Sequence, residues 1–420
     1  MSEALRAGYK LTEVGVIPED WSSIQFGSLA SIERGKFSAR PRNDPRLYGG
    51  DIPFIQTGDV TRSNGSITTF TQTLNGDGLK VSRLFSKGTL FFTIAANIGD
   101  VGIAQFEAAC PDSLVAISPN PSIDKCWLLY ELSRRKTDFE NLASPGVQLN
   151  INLEKLRPYL LPVPTLPEQR AIAAALSDID TLLAKLDELI AKKRNIKQAT
   201  MQQLLTGQTR LPGFSGEWTS LKLLTVCWFQ EGPGVRTHQF KKSGVKLLNG
   251  TNIAKGKVLL ETTNRYISQD EADGAYKHFL VDEGDILLAT SGITIDRLDE
   301  KVAVANMENL PLCMNTSTVR FKVINVNLTA NFLYVFLRSN EFKKQIGQQA
   351  TGSAQINFGP SHLEKIEISL PPTLQEQSLI AKILTDLDAE LEALETRRDK
   401  TQALKQGMMQ ELLTGRIRLV

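Results

Sequence analysis

The sequence predicts an α+β protein in which two similar domains of mixed α/β structure are separated by two long antiparallel helices of the coiled-coil type. One stretch of the chain occurs twice, and its apolar residues have the spacing of a helix that packs on another helix. The segments before each copy are rich in short β-branched and aromatic runs. The predicted order is a domain over residues 1–163, a helix over 164–210, a domain over 211–371 and a helix over 372–420.

The duplication becomes visible when the chain is compared with itself at a shift of 208 positions. Residues 158–211 then align with 366–419 without a gap, and 23 of the 54 positions are identical. A more distant relation extends upstream, since a tryptophan follows a lead-in with glycine and proline in both copies, at Trp21 and Trp218. The chain therefore contains two copies of one structural unit.

Each copy of the repeated block predicts one long helix. Its apolar residues recur at alternating steps of four and three, which is the spacing of a coiled-coil seam. Thr165 and Thr373 lie near the cap positions, and Gly207 and Gly415 lie where helices commonly end. A helix of about 40 residues would extend about 60 Å. The alternative is a pair of helices that merely belong to a core. The predicted seam consists of Ile172, Leu176, Ile179, Leu183, Leu186, Ile380, Leu384, Leu387, Leu391 and Leu394.

Paired motifs upstream of the helices predict strands. Ile52–Val60 resembles Val245–Ile253, and Leu84–Phe92 resembles Leu280–Leu288. These are short apolar runs separated by Gly, Asn and Asp, which is the pattern of strands joined by turns. Two further segments have a helical pattern: Lys125–Ser133 and Ala330–Ser339.

Composition excludes several classes of protein. Of the 420 residues, 41% are hydrophobic and 22% are charged, as in a globular protein. No run of about 18 apolar residues and no signal peptide occurs, so we expect a cytoplasmic protein without a membrane span. The four cysteines are scattered and only three histidines occur, so we expect no metal site. Because the net charge is only +2, any binding of nucleic acid would depend on local positive charge.

Motifs of catalysis are also missing from the sequence. It contains no P-loop, no Gly-rich cofactor loop after a strand and no tetrapeptide typical of adenine methyltransferases. Two pairs of carboxylates occur, Asp178 with Asp180 and Asp386 with Asp388. A spacing of two does not place both members of a pair on one helix face, so a solvated or docking role is favoured over metal binding. We therefore expect no catalytic residue in this chain.

The repeated block resembles the conserved regions of the specificity subunits of type I restriction–modification enzymes. A Glu-Gln motif with the apolar helix spacing occurs in Pro164–Asp180 and again in Pro372–Asp388. Each copy is followed by Leu-Leu-Thr-Gly, within Leu204–Leu211 and Leu412–Leu419. The motif Ile52–Val60 is similar to the start of that family's target recognition domains. The resemblance covers nearly the whole chain.

The resemblance implies a division of labour between this chain and its partners. The two domains would be target recognition domains, each reading one half of a split sequence in double-stranded DNA. The helices would act as a spacer and as the dock for two methyltransferase subunits, which bind S-adenosylmethionine and methylate adenine. Restriction subunits, which use ATP and Mg, would join where they are present. This chain would itself bind no cofactor.

A basic loop follows the tryptophan in both copies, which favours contact with the DNA backbone. Arg and Lys side chains neutralise phosphates and supply affinity without reading sequence. A solvated surface loop is the alternative. The predicted backbone contacts are Arg34, Lys36, Arg40 and Arg42 in the first domain and Arg236, Lys241, Lys242 and Lys246 in the second.

Polar side chains in predicted turns are the candidates for base recognition. Amides can bond bidentately to adenine, although Asn and Gln also satisfy turn backbones. Gln148 with Asn150 and Gln355 with Asn357 occupy equivalent places just before the helices. The predicted base-reading residues are Gln56, Thr57, Asn97, Gln148 and Asn150 in the first domain and Asn252, Ser291, Gln355 and Asn357 in the second.

Two other functions remain as alternatives. One is an interaction scaffold whose coiled coil and domains bind protein, and the other is a specificity module for a different methyltransferase or endonuclease arrangement. Co-purification distinguishes them, because the specificity subunit is expected to bring two methyltransferase chains and to direct methylation to a split motif.

Overall fold

The computed structural model describes residues 7–143, 150–261, 263–352 and 355–420. The chain divides into two compact units. The first unit contains the residues up to Asp187 together with Arg397–Val420, and the second unit contains Glu188–Thr396. Each unit therefore includes one mixed α/β domain and a part of both long helices, which confirms the predicted fold class.

The first unit is organised around a five-stranded sheet of order β4-β12-β9-β10-β6, in which β12 runs antiparallel to both β4 and β9. Smaller two-stranded pairs flank this sheet. The strands of the unit are β1 (Tyr9–Thr12), β2 (Gly15–Pro18), β3 (Ser22–Gln25), β4 (Ala30–Arg34), β5 (Tyr48–Pro53), β6 (Ser66–Ile67), β7 (Thr73–Leu74), β8 (Leu84–Phe85), β9 (Leu90–Thr93), β10 (Val101–Ala104), β11 (Ala108–Ala109), β12 (Leu114–Pro119) and β13 (Leu160–Val163).

Short helices pack on this sheet and complete the core of the first unit. The core includes the fully buried Trp21, Phe92 and Phe139. The helix predicted at 125–133 is confirmed, and Asp124 caps it by accepting the N–H of Trp127 at 2.9 Å. The helices are α1 (Phe26–Leu29), α2 (Thr57–Arg62), α3 (Gly76–Lys80), α4 (Lys125–Arg134), α5 (Lys136–Leu142) and α6 (Leu153–Leu156).

The strand prediction for Ile52–Val60 is only partly correct. The strand ends at Pro53, and α2 begins at Thr57. The cause is the buried Asp59, whose carboxylate accepts the N–H of Gln56 at 2.9 Å and closes the first turn of a helix. The related segment Val245–Ile253 is interrupted in the same way, by a 3-10 turn.

The second unit begins within the long helix α7 (Leu166–Leu205) and contains a four-stranded sheet of order β15-β23-β20-β21 and a three-stranded sheet of order β19-β16-β22. Phe321, Phe332 and Phe342 lie fully buried in its core. The strands are β14 (Thr219–Lys222), β15 (Cys227–Glu231), β16 (Val245–Leu248), β17 (Ile253–Ala254), β18 (Lys257–Val258), β19 (Tyr266–Ile267), β20 (Ile286–Ala289), β21 (Val302–Val304), β22 (Leu312–Met314), β23 (Thr318–Val323) and β24 (Glu367–Leu370).

The helices of the second unit repeat the plan of the first. The helix predicted at 330–339 is confirmed, and Thr329 caps it by accepting the N–H of Phe332 at 3.2 Å. The helices are α8 (Leu223–Val226), α9 (Gln269–Asp273), α10 (Ala330–Leu337), α11 (Asn340–Gln349), α12 (Pro360–Leu363) and the long helix α13 (Leu374–Leu412). None of the helices in the described ranges is long and apolar enough to cross a membrane.

The two long helices run antiparallel within each unit. In the first unit, Asp180 of α7 pairs with Lys405 of α13 at 2.6 Å. Asp187, later on α7, pairs with Arg398, which lies earlier on α13, at 3.8 Å. In the second unit, Lys197 pairs with Asp388 and Arg194 with Glu395, both at 2.5 Å. Of the predicted seam, Ile179, Leu387 and Leu394 are half-buried, and the rest is buried: Ile172, Leu176, Leu183, Leu186, Ile380, Leu384 and Leu391.

Glycines end both long helices, as the sequence predicts. Gly207 and Gly415 have φ values of +70° and +72°, in the left-handed region that favours glycine. A Cβ on Gly207 would lie 3.2 Å from the ring of Trp218, and one on Gly415 would lie 2.6 Å from Pro18. The chain therefore makes a tight turn at the end of each long helix, where it packs against Trp218 or Pro18.

Candidate nucleic-acid interface

The two basic loops leave their sheets at equivalent points. Gly35 follows β4 and donates its N–H to the carbonyl of Leu114 at 2.9 Å, while Gly232 follows β15 and donates to the carbonyl of Thr318 at 3.0 Å. A Cβ on Gly35 would lie 2.1 Å from the Pro111 carbonyl oxygen, so only glycine fits this approach. The same holds at Gly232, where the Asn315 carbonyl oxygen would be 2.4 Å away. The equivalent placement of the loops, which the sequence predicted, is present in the structure.

The first loop carries four exposed cations, two of which are engaged by one residue. Arg42 forms an ion pair with Asp112 at 2.7 Å, and Nε of Arg34 donates to the Asp112 carbonyl at 2.8 Å. Arg40 donates to the neighbouring carbonyl of Ala39 at 2.8 Å. Within the described ranges, Lys36 and Arg40 have no carboxylate partner. A part of the positive charge in this loop is therefore already neutralised.

The second loop presents Arg236, Lys241 and Lys242, all exposed and none paired with a carboxylate in the part of the chain that the structure describes. Its shape is maintained by Gln239, which donates to Glu271 at 3.1 Å and to the hydroxyl of Tyr276 at 2.9 Å. The serine hydroxyl and N–H of Ser268 bond to Glu271 and lower the pKa of that carboxyl, so it stays ionised. The loop thus displays positive charge on a fixed backbone, and the charge of Lys241 is near enough to Glu271 to help lower the pKa of that carboxyl.

Lys246 differs from the other predicted backbone contacts. It is half-buried on β16, and its ammonium lies 3.5 Å from the carbonyl of Leu260. The strand pairs with Tyr266 and Leu312 on either side, so this lysine is part of a sheet rather than of the loop. Its contact with DNA stays a prediction that the geometry does not favour.

Three of the four base-reading residues predicted in the second domain come together. The hydroxyl of Ser291 donates to Oδ1 of Asn357 at 2.7 Å, and the N–H of Gly292 donates to the same oxygen at 3.0 Å. Gln355 is exposed beside them, with Oε1 3.8 Å from where a Cβ on Gly292 would lie. Because both bonds occupy the Asn357 oxygen, its exposed amide nitrogen is left as a donor. The cluster of Ser291, Gln355 and Asn357 therefore offers polar groups with a fixed orientation.

Asn252 is a correction to the sequence prediction. It is only 3% exposed, and its amide bonds to the N–H of Asn249 at 3.0 Å and to the carbonyl of Leu259 at 3.1 Å. It occupies the same place in a helical turn as the buried Asp59 of the first domain. Its side chain stabilises the turn, and its burial keeps it away from a base.

In the first domain the predicted residues gather less tightly. Gln56 and Thr57 are half-buried at the start of α2, and the exposed Asn97 donates to Thr61 of that helix at 3.1 Å. Asn150 lies opposite Ala95, and its Oδ1 is buried without a hydrogen-bond partner in the described residues. Gln148 lies outside the described residues.

A single salt-bridged carboxylate positions the loop that carries Asn97. Asp100 accepts the ammonium of Lys136 at 2.6 Å and the hydroxyl of Thr61 at 2.6 Å. Ala96, in the same loop, has a φ of +64°, and Gly292 in the second domain has a φ of +68°. Three residues after β9 and after β20, each loop therefore has one residue in the left-handed region, an alanine in the first domain and a glycine in the second.

The Glu-Gln motif, which repeats in both long helices, has a structural role that the sequence did not predict. Glu168 is fully buried and accepts Trp21 Nε1 at 2.8 Å and two nitrogens of Arg418 at 2.5 and 2.8 Å. Glu376 accepts two nitrogens of Arg210, at 2.7 and 2.8 Å. The sequence contained a signal for these ion pairs, since Glu168 matches Glu376 and Arg210 matches Arg418 at the shift of 208.

The paired aspartates are also corrected, because one member of each pair lies in the helix interface. Asp180 accepts the hydroxyl of Tyr130 at 2.8 Å besides its pair with Lys405, and Asp388 pairs with Arg338 at 2.6 Å besides Lys197. These two side chains are thus half-buried and engaged by partners within the chain. Over the described ranges, no group of three or more His, Cys, Asp or Glu side chains could hold a metal ion.

Comparison with known proteins places this geometry in a family. The profile of the type I restriction modification DNA specificity domain matches residues 18–197 and 216–404. The MjaVIII specificity subunit of Methanocaldococcus jannaschii is 25% identical over 418 residues, which are 96% of this chain and 94% of that protein.

Solved structures show the same fold. A type I restriction–modification S subunit from M. genitalium is similar with a TM-score of 0.59 at 16% identity, covering 96% of this chain and 97% of that chain. A chain from a study of assembly and conformational transition in the type I R-M system gives a TM-score of 0.60 at 16% identity, covering 96% and 99%. Together with the two profile matches, which span most of the sequence, these findings show that the chain belongs to the family of type I restriction–modification DNA specificity subunits.

Proposed function

We propose that this chain directs its complex to a split sequence in double-stranded DNA, with each domain reading one half. The observation that supports the proposal is that the two domains share the same backbone fold at the basic loop but carry different polar side chains there. Both loops start from the same glycine contact, yet the side chains beyond that contact differ in charge and in hydrogen-bonding groups. Two domains of the same fold with different surface side chains are suited to recognise two different half-sites.

Affinity and sequence choice are divided between two sets of residues in this proposal. The cations that follow Gly35 and Gly232 contact phosphates, which supplies affinity and a dependence on salt. The cluster of Ser291, Gln355 and Asn357 in the second domain, and Asn97 with its neighbours in the first, contact base edges. One good bidentate contact discriminates against a wrong base by about 1–3 kcal/mol. Two domains joined in one chain add their discrimination, since the second engagement is intramolecular.

The long helices serve as spacer and as dock for two methyltransferase subunits. On the part of α7 in the second unit, Leu189 and Ile196 lie seven residues apart and are 40% and 42% exposed. Apolar side chains at this spacing form a stripe on which another helix can pack. The methyltransferase subunits bind S-adenosylmethionine and modify adenine, and restriction subunits with ATP and Mg join where present. This chain contributes recognition and holds no cofactor.

Mapping of methylated adenines tests the proposal. The chain is expressed with its methyltransferase in a host without other adenine methylation, and methylated positions are read by sequencing. We expect one motif of two fixed half-sites with a spacer of constant length. Asn357→Ala should relax one half-site, and Asn97→Ala should relax the other. Methylation without a motif, or a complex without methyltransferase, would favour the interaction scaffold instead.

The spacer is tested by lengthening both helices together. Four residues, about one turn, are inserted between Ile190 and Met201 and at the equivalent place in α13. The insertion adds about 6 Å, the length of roughly two base pairs. The spacer of the methylated motif should change by one or two base pairs while both half-sites keep their sequence. Altered half-site bases with an unchanged spacer would contradict this role of the helices.

A further inference from the structure

The last residue of the first sheet strand is charged in both domains, with opposite sign. Arg34 ends β4 and pairs with Val115 of β12, and Glu231 ends β15 and pairs with Val319 of β23. Each residue directly precedes the glycine from which its basic loop starts. The two positions are therefore equivalent in the two sheets, and each lies directly before a basic loop.

Glu231 has no counter-charge in this place. Its carboxylate has no ion pair and no hydrogen bond among the residues that the structure describes. It is half-buried, and Oε2 lies 3.6 Å from where a Cβ on Gly359 would lie, two residues after Asn357. Burial raises the pKa of the Glu231 carboxyl. The surroundings thus disfavour the charge and provide no partner for it.

An unpaired carboxylate beside a loop that meets phosphates repels DNA, unless the bound DNA offers it a hydrogen-bond donor. Base edges in the major groove provide such donors, since the amino groups of cytosine and adenine both point into it. An ionised carboxylate only accepts, so it matches an amino group and rejects the acceptor oxygens of guanine and thymine.

We propose that Glu231 is a specificity-determining residue that accepts a hydrogen bond from the amino group of a cytosine or an adenine in one half-site. This rests on the proposed function. The equivalent Arg34 supplies the opposite chemistry. Its Nε is bonded to the Asp112 carbonyl at 2.8 Å, and its two terminal nitrogens have no partner among the residues that the structure describes. They can therefore donate to a guanine instead of to the phosphate that the sequence predicted. The equivalent strand ends of β4 and β15 thus carry a hydrogen-bond donor in the first domain and an acceptor in the second.

The test uses the complete complex with methyltransferase and two variants of equal charge change. Glu231→Gln replaces the carboxylate by an amide of the same shape, which both donates and accepts. Glu283→Gln is the control, since Glu283 is an exposed carboxylate without an ion pair in the described ranges, in the turn before β20 at the other end of the sheet. Each complex is presented with duplexes in which every position of the site is varied in turn.

We expect Glu231→Gln to change the preference at one position of one half-site and to weaken binding of the original site about tenfold, while Glu283→Gln keeps both. The base preferred at that position by the unmodified complex, cytosine or adenine, identifies the amino group. The proposal is overturned if both variants bind every sequence more tightly by a similar factor with an unchanged motif, since the carboxylate would then act only through its charge. Loss of binding to all duplexes by Glu231→Gln would also overturn it.

The same experiment separates this proposal from the function on which it rests. If the unmodified complex shows no split motif, the proposed function fails. If it shows a split motif that Glu231→Gln leaves intact, only the role of Glu231 fails. Arg34→Gln provides an independent measurement, because it should alter one position in the other half-site.

Discussion

The loops after β4 and β15 begin with the same glycine contact but differ in how many of their cations are bonded to other residues of the chain. In the first loop, Asp112 engages both Arg34 and Arg42. In the second loop, the exposed cations have no carboxylate partner in the described ranges, and uncharged Gln239 maintains the shape. A common scaffold therefore determines where a loop starts, whereas local partners decide how much of its charge is available to DNA.

The buried carboxylates at the starts of the long helices differ in a similar way. Glu168 accepts both an arginine and the indole N–H of Trp21. Glu376 accepts only its arginine, and Nε1 of the equivalent Trp218 is buried without a hydrogen-bond partner in the described part of the chain. The first unit thus makes one bond at this point that the second unit lacks.

The largest expected difference between the units follows from these carboxylates. Glu168→Ala should lower the free energy of unfolding by about 3 kcal/mol, because it leaves the buried Trp21 N–H and a part of Arg418 without an acceptor. Glu376→Ala should cost about 1 kcal/mol less, since the Trp218 indole makes no bond to Glu376 that could be lost, while both arginines keep other partners, Arg210 at Ser215 and Gly216 and Arg418 at Asp20. Denaturant unfolding of both variants measures the order. A larger loss for Glu376→Ala would show that the indole bond contributes little.

The loops predict an intermediate difference, in the dependence of DNA binding on salt. Each cation that contacts a phosphate contributes about 0.9 to the slope of the logarithm of affinity against the logarithm of salt concentration. Lys241→Gln with Lys242→Gln should lower this slope by about 2. Arg40→Gln with Arg42→Gln should lower it by about 1, because Asp112 already neutralises Arg42. Binding of the complex to its site between about 50 and 200 mM salt provides both slopes. Equal slopes would contradict the difference between the loops.

The helices and their seam could be predicted from the sequence because apolar spacing depends on neighbours along the chain. The partners of Glu168 could not, since Arg418 lies 250 residues away and Trp21 lies 147 residues away. Ser291 and Asn357 are separated by 66 residues, and only the fold shows that they bond to each other. Asn252 was misinterpreted because the same amide suits a base and a turn, and its equivalence to the capping Asp59 appears only when both turns are seen.

The smallest expected difference between the units is in how the free energy of unfolding depends on pH in acid. Arg418 donates two hydrogen bonds to Asp20, at 3.0 and 2.7 Å, and holds the pKa of that carboxyl below its usual value of 3.8. A lowered pKa in the folded state stabilises the protein above the unfolded value, and this contribution is lost as the pH falls through the folded value. The equivalent residue of the second unit, Glu217, is exposed and has no ion pair in the described ranges.

Asp20→Asn should therefore reduce stability more at pH 6 than at pH 2, whereas Glu217→Gln should leave the stability similar at both. Asp20 is about half exposed, so solvent screens the pair and the effect should stay below about 1 kcal/mol. Unfolding measured across this pH range checks the sign. If Asp20→Asn instead lost the same stability at pH 2 and pH 6, the loss would not depend on ionisation of the Asp20 carboxyl, and the charged partner of Arg418 that stabilises the first unit would be Glu168 alone.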